Sequence, residues 1–151
     1  MKTVIVCLLL VLSVCWSKEI TKVEVLDGDT IAYMENGKCV RVRLYGIDAP
    51  ELEQIYGPEA KAKLKSLMRR KMELIVVNTD LYRREVGVLY AGGKCVNSQM
   101  ILEGYAWHYP DTRPVCSLYK RHEEYARSKR IGMWQYPVNI EPWLYRKEQK
   151  K

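Results

Sequence analysis

The sequence predicts an α+β fold in which five short strands close into a small barrel and three helices pack against it. Short stretches of alternating apolar and polar residues indicate the strands, and Asn36-Gly37 and Gly92-Gly93 supply turns between them. An apolar stripe with helical spacing follows Pro58, and two more helical segments follow the fifth strand. A chain of 151 residues, 48% hydrophobic and 28% charged, is sufficient for one domain with a buried core.

Each predicted element has its own local signal. Asn36-Gly37 is typical of a two-residue hairpin turn, so the second and third strands are predicted to be antiparallel neighbours. Pro58 suits the first position of a helix, Asn97 is predicted to cap the second helix, and Gly104 ends that helix. The strands are predicted at residues 20–26, 30–34, 40–45, 73–78 and 86–90, and the helices at residues 58–71, 97–103 and 117–130.

Four charged residues are predicted to meet where the second strand starts and the third strand ends. Asp29 starts the second strand, and the third strand carries Arg43 away from the core before a turn that contains Asp48 and Glu51. Pro50 restricts the backbone of that turn. Carboxylates bind hard cations and arginine binds phosphate through two hydrogen bonds, so the pattern favours a metal ion that faces a phosphate. The alternative interpretation is an arginine-rich edge strand followed by a solvated acidic turn.

Both ends of the chain carry distinct signals. Residues 1–17 are predicted to form a signal peptide that is cleaved after Ser17, because one charge precedes an apolar stretch too short to span a bilayer. The alternative is a lipoprotein signal with Cys15 as the lipidated residue. The expected product is exported, either secreted or periplasmic, with no transmembrane span after cleavage. Residues 137–151 are predicted to be a tail that packs on the domain before a basic end.

Charge and cysteine content restrict the partners. The net charge is +7, and signal removal takes away only Lys2, which leaves +6. This excess agrees with a nucleic-acid substrate. The mature chain would hold Cys39, Cys95 and Cys116, an odd number that leaves at least one thiol unpaired or paired between chains. The spacing assigns no disulfide, and the absence of a CxxC motif argues against a structural zinc site.

Several motifs occur together in the order and spacing of one family. The chain resembles the staphylococcal nuclease-like (thermonuclease) family over residues 20–134, and its last motifs are similar to those of exported bacterial members. The ordered set is specific, although no single motif is decisive. The resemblance implies an OB-fold barrel with three helices in a domain at residues 18–136. The motifs are Asp27-Gly28-Asp29-Thr30, Arg43-Leu44, Ile47-Asp48-Ala49-Pro50-Glu51, Tyr56-Gly57-Pro58-Glu59-Ala60, residues 80–84, Val96-Asn97, Gly104-Tyr105-Ala106, Gly132-Met133-Trp134 and Pro142-Trp143.

The resemblance also implies an activity and a cofactor. It implies a calcium-dependent phosphodiesterase, an endonuclease of DNA and RNA that acts as a monomer with no stable protein partner. Asp29 and Asp48 match the two calcium carboxylates, and Ala49 matches the residue whose backbone carbonyl binds calcium. Asp27 matches an acidic position beside that site, and capping of the Gly28 turn is its alternative role.

Three further residues match the catalytic positions of the family. Glu51 matches the carboxylate that activates or orients the attacking water. Arg43 and Arg84 match the guanidinium groups that hold the scissile phosphate and bind the charge that grows in the transition state. Arg83 departs from the family, whose members usually have glycine there. Either this residue alters the pose of Arg84, or Arg83 contacts phosphate in its place.

Two tyrosines match the nucleotide-binding region of the family. Tyr82 matches a tyrosine near the substrate phosphate, and Tyr109 lies close to the position of a base-stacking tyrosine. Stacking tolerates any base and favours single strands. The alternative role for Tyr109 is packing against Trp107.

Two other classes of function compete with the enzyme. A non-catalytic nucleic-acid-binding OB-fold module would keep the fold and lose part of the site, whereas the five residues that match the calcium and catalytic positions with their side chains are all present. An exported calcium-binding interaction protein would bind calcium without affinity for phosphate, and two arginines at one site argue against it. The sequence therefore favours the enzyme.

Overall fold

The computed structural model describes residues 16–109, 116–137 and 140–150, without the side chains of Trp16 and Cys116. Residues 1–15 of the predicted signal peptide lie outside these ranges. In chain order the elements are β1 (Trp16–Thr21), β2 (Glu24–Val25), β3 (Thr30–Glu35), β4 (Lys38–Leu44), β5 (Ile47–Asp48), α1 (Gly57–Leu67), β6 (Lys71–Thr79), β7 (Glu85–Ala91), β8 (Lys94–Cys95), α2 (Val96–Leu102), β9 (Trp107–His108), α3 (Cys116–Ser128), a 3-10 helix (Gly132–Gln135) and α4 (Pro142–Glu148).

The main sheet has the strand order β1-β6-β7-β4-β3-β2. All of its pairs are antiparallel except β4 with β7, which run parallel. The strands at the two edges, β1 and β2, are separated in the chain only by Lys22 and Val23, and Lys22 has a positive φ of 52°. The two edges of the sheet are therefore two halves of one bent strand, which gives five strands in all. This is the five-stranded OB-fold topology that the resemblance implied. The described strands do not close into a ring of hydrogen-bonded pairs, in contrast to the closed barrel that the sequence predicted.

The core lies inside the curled sheet and beneath the helices. Ile31, Val42, Leu74 and Leu89 come from four strands and are fully buried, and Leu64 of α1 is fully buried in the same cluster. Burial of one such aliphatic side chain contributes about 1.5–3 kcal/mol. The core therefore holds β3 and β4 rigidly, and these two strands carry the first charged residues of the predicted site.

Two predicted boundaries and one predicted cap differ most from the structure. The first strand begins at Trp16 instead of residue 20, because its early residues pair with β6. The first helix ends at Leu67 instead of residue 71, because Lys71 already belongs to β6, where it pairs with Thr21 of β1. Asn97 is not a cap: it lies inside α2, and the residue that precedes the helix is Cys95, which makes no side-chain capping bond.

Additional features belong to the periphery of the fold. The described residues contain a fourth α-helix, α4, within the segment predicted as a tail. Cys39 and Cys95 are free thiols, and the side chain of Cys116 lies outside the described part. Within the described ranges, no helix has the length and apolar character needed to span a membrane.

Candidate active site

A single open cleft of about 780 Å³ contains almost every residue that was predicted to act. It lies where β3 begins, β4 ends and the chain turns toward α1. Among its lining residues are Asp27, Asp29, Arg43, Ala49, Glu51, Asp80, Tyr82, Arg84, Tyr109, Arg146 and Lys150. Asp48 lies beneath the wall of the cleft with no exposed surface.

Strand register brings the first carboxylate to the cleft. Thr30 pairs with Arg43 across β3 and β4, and the backbone N–H of Leu44 donates to the carbonyl of Asp29 at 2.8 Å. The preceding turn is tight because the N–H of Asp29 donates to Asp27 Oδ1 at 2.9 Å. A Cβ on Gly28 would lie 2.5 Å from Ala49 Cβ, so only glycine lets this turn approach the Asp48–Ala49 segment so closely.

Asp29 is held in a mostly buried pocket. Its Oδ1 accepts from Arg43 Nη1 at 2.7 Å and from the Thr30 hydroxyl at 3.0 Å, and its Oδ2 accepts from the Ala49 N–H at 2.8 Å. Burial raises the pKa of Asp29 to about 7; the Arg43 charge opposes this rise, and the neighbouring carboxylates of Asp27 and Asp48 add to it. The carboxyl of Asp29 is therefore protonated more readily than that of an exposed aspartate.

Arg43 joins the two buried carboxylates of the site. Its Nη1 contacts Asp29 and its Nη2 contacts Asp48 Oδ1 at 2.6 Å, with a longer bond of 3.3 Å to the carbonyl of Ile47. Although burial works in the opposite direction, the charges of the two carboxylates raise the pKa of the guanidinium, so it stays protonated. The side-chain oxygens of Asp29 and Asp48 thus face the same small volume.

The turn that follows β4 positions Asp48 and Glu51. Gly46 has a φ of +73° and packs on the ring of Tyr119, where a Cβ would lie only 2.9 Å from Cε2. The next two residues form β5 and pair with β9, which anchors Asp48 from the other side. The N–H of Glu51 donates to the side-chain oxygen of Gln54 at 2.9 Å. The acidic turn is therefore held on both flanks, with Asp48 buried and Glu51 one-third exposed.

Arg84 reaches the same cleft from a separate loop. Its Nε contacts Asp80 Oδ2 at 2.8 Å, and its guanidinium lies 5.5 Å from the ring centre of Tyr82. Asp80 also accepts the backbone N–H groups of Tyr82 and Arg84, so one carboxylate organises the whole loop. Arg83 is exposed on the turn, whereas Arg84 lines the cleft. The structure thus places Arg84, and not its neighbour, in the lining of the cleft.

The two tyrosines differ in their surroundings. Tyr82 is 77% exposed at the rim of the cleft, and Tyr109 is 44% exposed. Tyr109 makes an edge contact with Trp143 of α4 at 5.8 Å between ring centres, while Trp107 makes one with Trp134. Packing of Tyr109 against Trp107 is therefore not the arrangement found. Both tyrosine rings present accessible faces beside the charged groups.

Sequence reasoning missed Arg146 of α4. Its Nη2 contacts Asp48 Oδ2 at 2.8 Å, and its Nη1 contacts Glu51 Oε1 at 2.6 Å and Asp48 Oδ1 at 3.1 Å. The signal was a run of basic residues after Pro142-Trp143, which was interpreted as a frayed end. Nothing local in the sequence shows that one of these residues crosses 95 positions to reach Glu51.

The two buried carboxylates of the site are of the type that binds hard divalent cations. Asp29 and Asp48 offer carboxylate oxygens that lie within reach of one guanidinium, and the Ile47 carbonyl is beside them. Within the described ranges, no group of three or more acidic, histidine or cysteine side chains is arranged to hold a metal ion. A cation here would be held by two carboxylates, with backbone oxygen and water completing its shell. The recorded contact of Ala49 is through its N–H, not its carbonyl.

An OB-fold whose cleft combines buried carboxylates with guanidinium groups has the chemistry to bind a cation and a phosphate together. Comparison with known proteins is in agreement. The family model for staphylococcal nuclease homologues matches residues 41–136. The chain belongs to the staphylococcal nuclease family, as the resemblance indicated, and its function is that of a nuclease with nucleic acid as substrate.

Similar proteins come from bacteria and plants. The chain is 37% identical over 139 residues to a micrococcal nuclease of Shigella flexneri, covering 85% of this chain and 80% of that protein. It is 39% identical over 128 residues to an uncharacterized endonuclease of Escherichia coli O157:H7, covering 82% of each. It is 39% identical over 114 residues to the staphylococcal-like nuclease CAN1 of Arabidopsis thaliana, covering 75% of this chain and 35% of that protein.

Proposed function

We propose that the protein is a calcium-dependent endonuclease that hydrolyses phosphodiester bonds of DNA and RNA and prefers unpaired strands. The observation that carries this proposal is the pair of buried carboxylates, Asp29 and Asp48, which share Arg43 at the floor of an open cleft. A hard cation is the ligand that best compensates two buried carboxylates, one of which has a raised pKa. Bound calcium would supply Lewis-acid polarisation of the phosphate.

The residues of the chain have separable roles in this mechanism. Asp29 and Asp48 would hold the cation, and the two arginines Arg43 and Arg84 bind the non-bridging oxygens of the phosphate, each with planar hydrogen-bond donors. Charge on those oxygens grows in the transition state, so loss of either arginine lowers turnover more than binding. Glu51, whose side chain is one-third exposed, orients the attacking water by accepting a hydrogen bond from it. Glu51 then takes the proton of that water.

The strand preference follows from the shape and chemistry of the rim. The exposed rings of Tyr82 and Tyr109 offer stacking faces that any unpaired base can use. The net charge of +7 adds attraction that is independent of sequence and falls with salt. A duplex would have to open before its bases could stack on these rings.

Cleavage assays test the proposal directly. We expect calcium-dependent conversion of supercoiled plasmid to open circles and no cleavage with excess chelator. Heat-denatured DNA and RNA should be cleaved faster than duplex DNA. Arg43→Ala should lower kcat by about 10²–10³-fold. Arg69→Ala is the matched control, because Arg69 is exposed and its recorded side-chain bonds are to Ser66 and Met68. Salt-sensitive binding without cleavage would instead identify a nucleic-acid-binding module.

A further inference from the structure

We propose that Arg146 is a positioning residue of this nuclease. It fixes the orientation of Glu51 relative to Asp48, and its positive charge lowers the affinity of the free enzyme for the cation. This inference rests on the proposed function. Its guanidinium bridges two carboxylates with different proposed roles, contacting Asp48 with both nitrogens and Glu51 with one. A planar fork in this arrangement fixes both the distance and the relative orientation of its partners.

The links of the C-terminal helix to the domain point to the cleft. Only Pro142 is buried among the residues of α4, so the helix adds little to the apolar core. Two side chains of α4 contact the cleft: Arg146 pairs with the carboxylates, and Trp143 packs against Tyr109. Just before the helix, the Ile140 carbonyl accepts from Gln54 Nε2 at 2.9 Å. The helix thus spans from the acidic turn to a proposed stacking ring.

Glu51 needs an external support because its surroundings are acidic. Its carboxylate is one-third exposed, and the carboxylate of Asp48 lies close enough to share one guanidinium. Like charges at this distance repel each other. Among the described residues, Arg146 is the ion-pair partner of Glu51. Loss of the Arg146 side chain would therefore allow Glu51 to adopt several rotamers. A carboxylate that must orient one water molecule loses efficiency when it moves.

Charge balance gives Arg146 a second effect on the site. When Asp29 is deprotonated, as cation binding requires, Asp29, Asp48 and Glu51 contribute three negative charges, while Arg43 and Arg146 contribute two positive charges, which leaves −1. A divalent cation changes this to +1, which complements the single negative charge of a phosphodiester. Without Arg146 the acidic cluster attracts a cation more strongly but ends neutral. Removal of Arg146 should therefore change turnover and calcium affinity in opposite directions.

Kinetics and calcium titration of the full chain test this inference. We expect Arg146→Gln to lower kcat by about 10–100-fold with KM changed less than about threefold. Calorimetric titration with calcium alone should show affinity raised by about 3–10-fold. Lys147→Gln removes the same charge from an exposed position of α4 and should match the wild type in both measurements. Arg146→Lys keeps the charge without the fork and should fall between wild type and Arg146→Gln.

A double-mutant cycle separates positioning from general stability. If Arg146 acts through Glu51, Arg146→Gln costs little further kcat when Glu51→Gln is already present. An equal loss in both backgrounds overturns the proposal, and so does a joint fall of kcat and calcium affinity. If Arg146→Gln does not fold, wild-type kcat in Arg146→Lys overturns it. A wild-type protein that binds nucleic acid without cleaving it would refute the proposed function, while the calcium titrations still report whether Arg146 opposes the cation.

Discussion

At the scale of single residues, Arg83 shows how a residue other than glycine is accommodated in a left-handed turn. It occupies a left-handed backbone conformation with φ +60°, which costs an ordinary residue about 1–2 kcal/mol and costs glycine almost nothing. The turn is stabilised because the N–H of Arg83 donates to the Asp80 carbonyl. The side chain of Asp80 also accepts hydrogen bonds from the backbone N–H and the Nε of Arg84. The strain thus stays in the backbone of an exposed position, and the pose of Arg84 is set by Asp80.

Replacement of Arg83 by glycine should therefore stabilise the protein. We expect Arg83→Gly to raise the free energy of unfolding by about 0.5–1 kcal/mol, since relief of the strained φ exceeds the entropy that glycine adds to the unfolded chain. Chemical denaturation checks this value. Arg83→Ala removes the same side chain without relieving φ and should give no gain. A fall in cleavage by Arg83→Gly would show that Arg83 contacts the substrate.

At the scale of elements, Asn97 links the second helix to the barrel. Its Oδ1 accepts the Leu89 N–H at 3.0 Å, and its Nδ2 donates to the carbonyls of Tyr45 at 2.9 Å and Gly87 at 3.2 Å. This fully buried amide joins α2, β7 and the chain just after β4. Because Tyr45 directly precedes the glycine of the acidic turn, the amide also supports the site from below.

Loss of this amide should destabilise the whole domain. Asn97→Ala leaves one buried donor and two buried carbonyls without this partner, so we expect a loss of roughly 2–4 kcal/mol in the free energy of unfolding. Denaturant titration measures the change. Gln99→Ala on the same helix serves as the control, because Gln99 is only half-buried, and it should cost less than about 1 kcal/mol. Equal effects of the two substitutions would contradict the role of Asn97.

At the scale of the whole molecule, the acidic cleft makes stability depend on pH and on cations. The pKa of Asp29 rises from an ordinary value of 3.8 to about 7 on folding, mainly through burial. The folded protein therefore holds this proton more tightly than the unfolded chain, and the metal-free fold loses stability as pH rises from about 4 to about 7. A cation that binds only the folded, deprotonated site offsets this loss.

Thermal unfolding across pH checks this linkage. With chelator present, we expect Asp29 to contribute a decrease of about 1 kcal/mol per pH unit between pH 4 and pH 7. With calcium present, the decrease should shrink, and the stabilisation by calcium should grow over the same interval. Asp29→Asn is the matched control, since its amide does not titrate, and it should lose both effects. A calcium effect independent of pH would show that Asp29 is not a ligand.

Much of the fold and of the site was readable from local patterns. Alternation located the strands, Asn36-Gly37 located a hairpin, and the positive φ of both of these residues matches the turn that this dipeptide favours. Short motifs placed Asp29, Arg43 and the acidic turn correctly at one end of the barrel, because strand register follows from the alternation and the turn. These features depend on residues that are close together in the sequence, so the sequence alone can predict them.

Tertiary packing decided the remaining features. Asn97 has the local signature of a cap but serves as a buried link, because the edge of β7 lies against it. Asp29 has a raised pKa because burial and neighbouring acids surround it, and neither is visible in its own segment. Arg146 reaches Asp48 and Glu51 only because α4 folds back over the cleft. Contacts between residues about 95 positions apart depend on the path of the whole chain, so local propensities do not specify them.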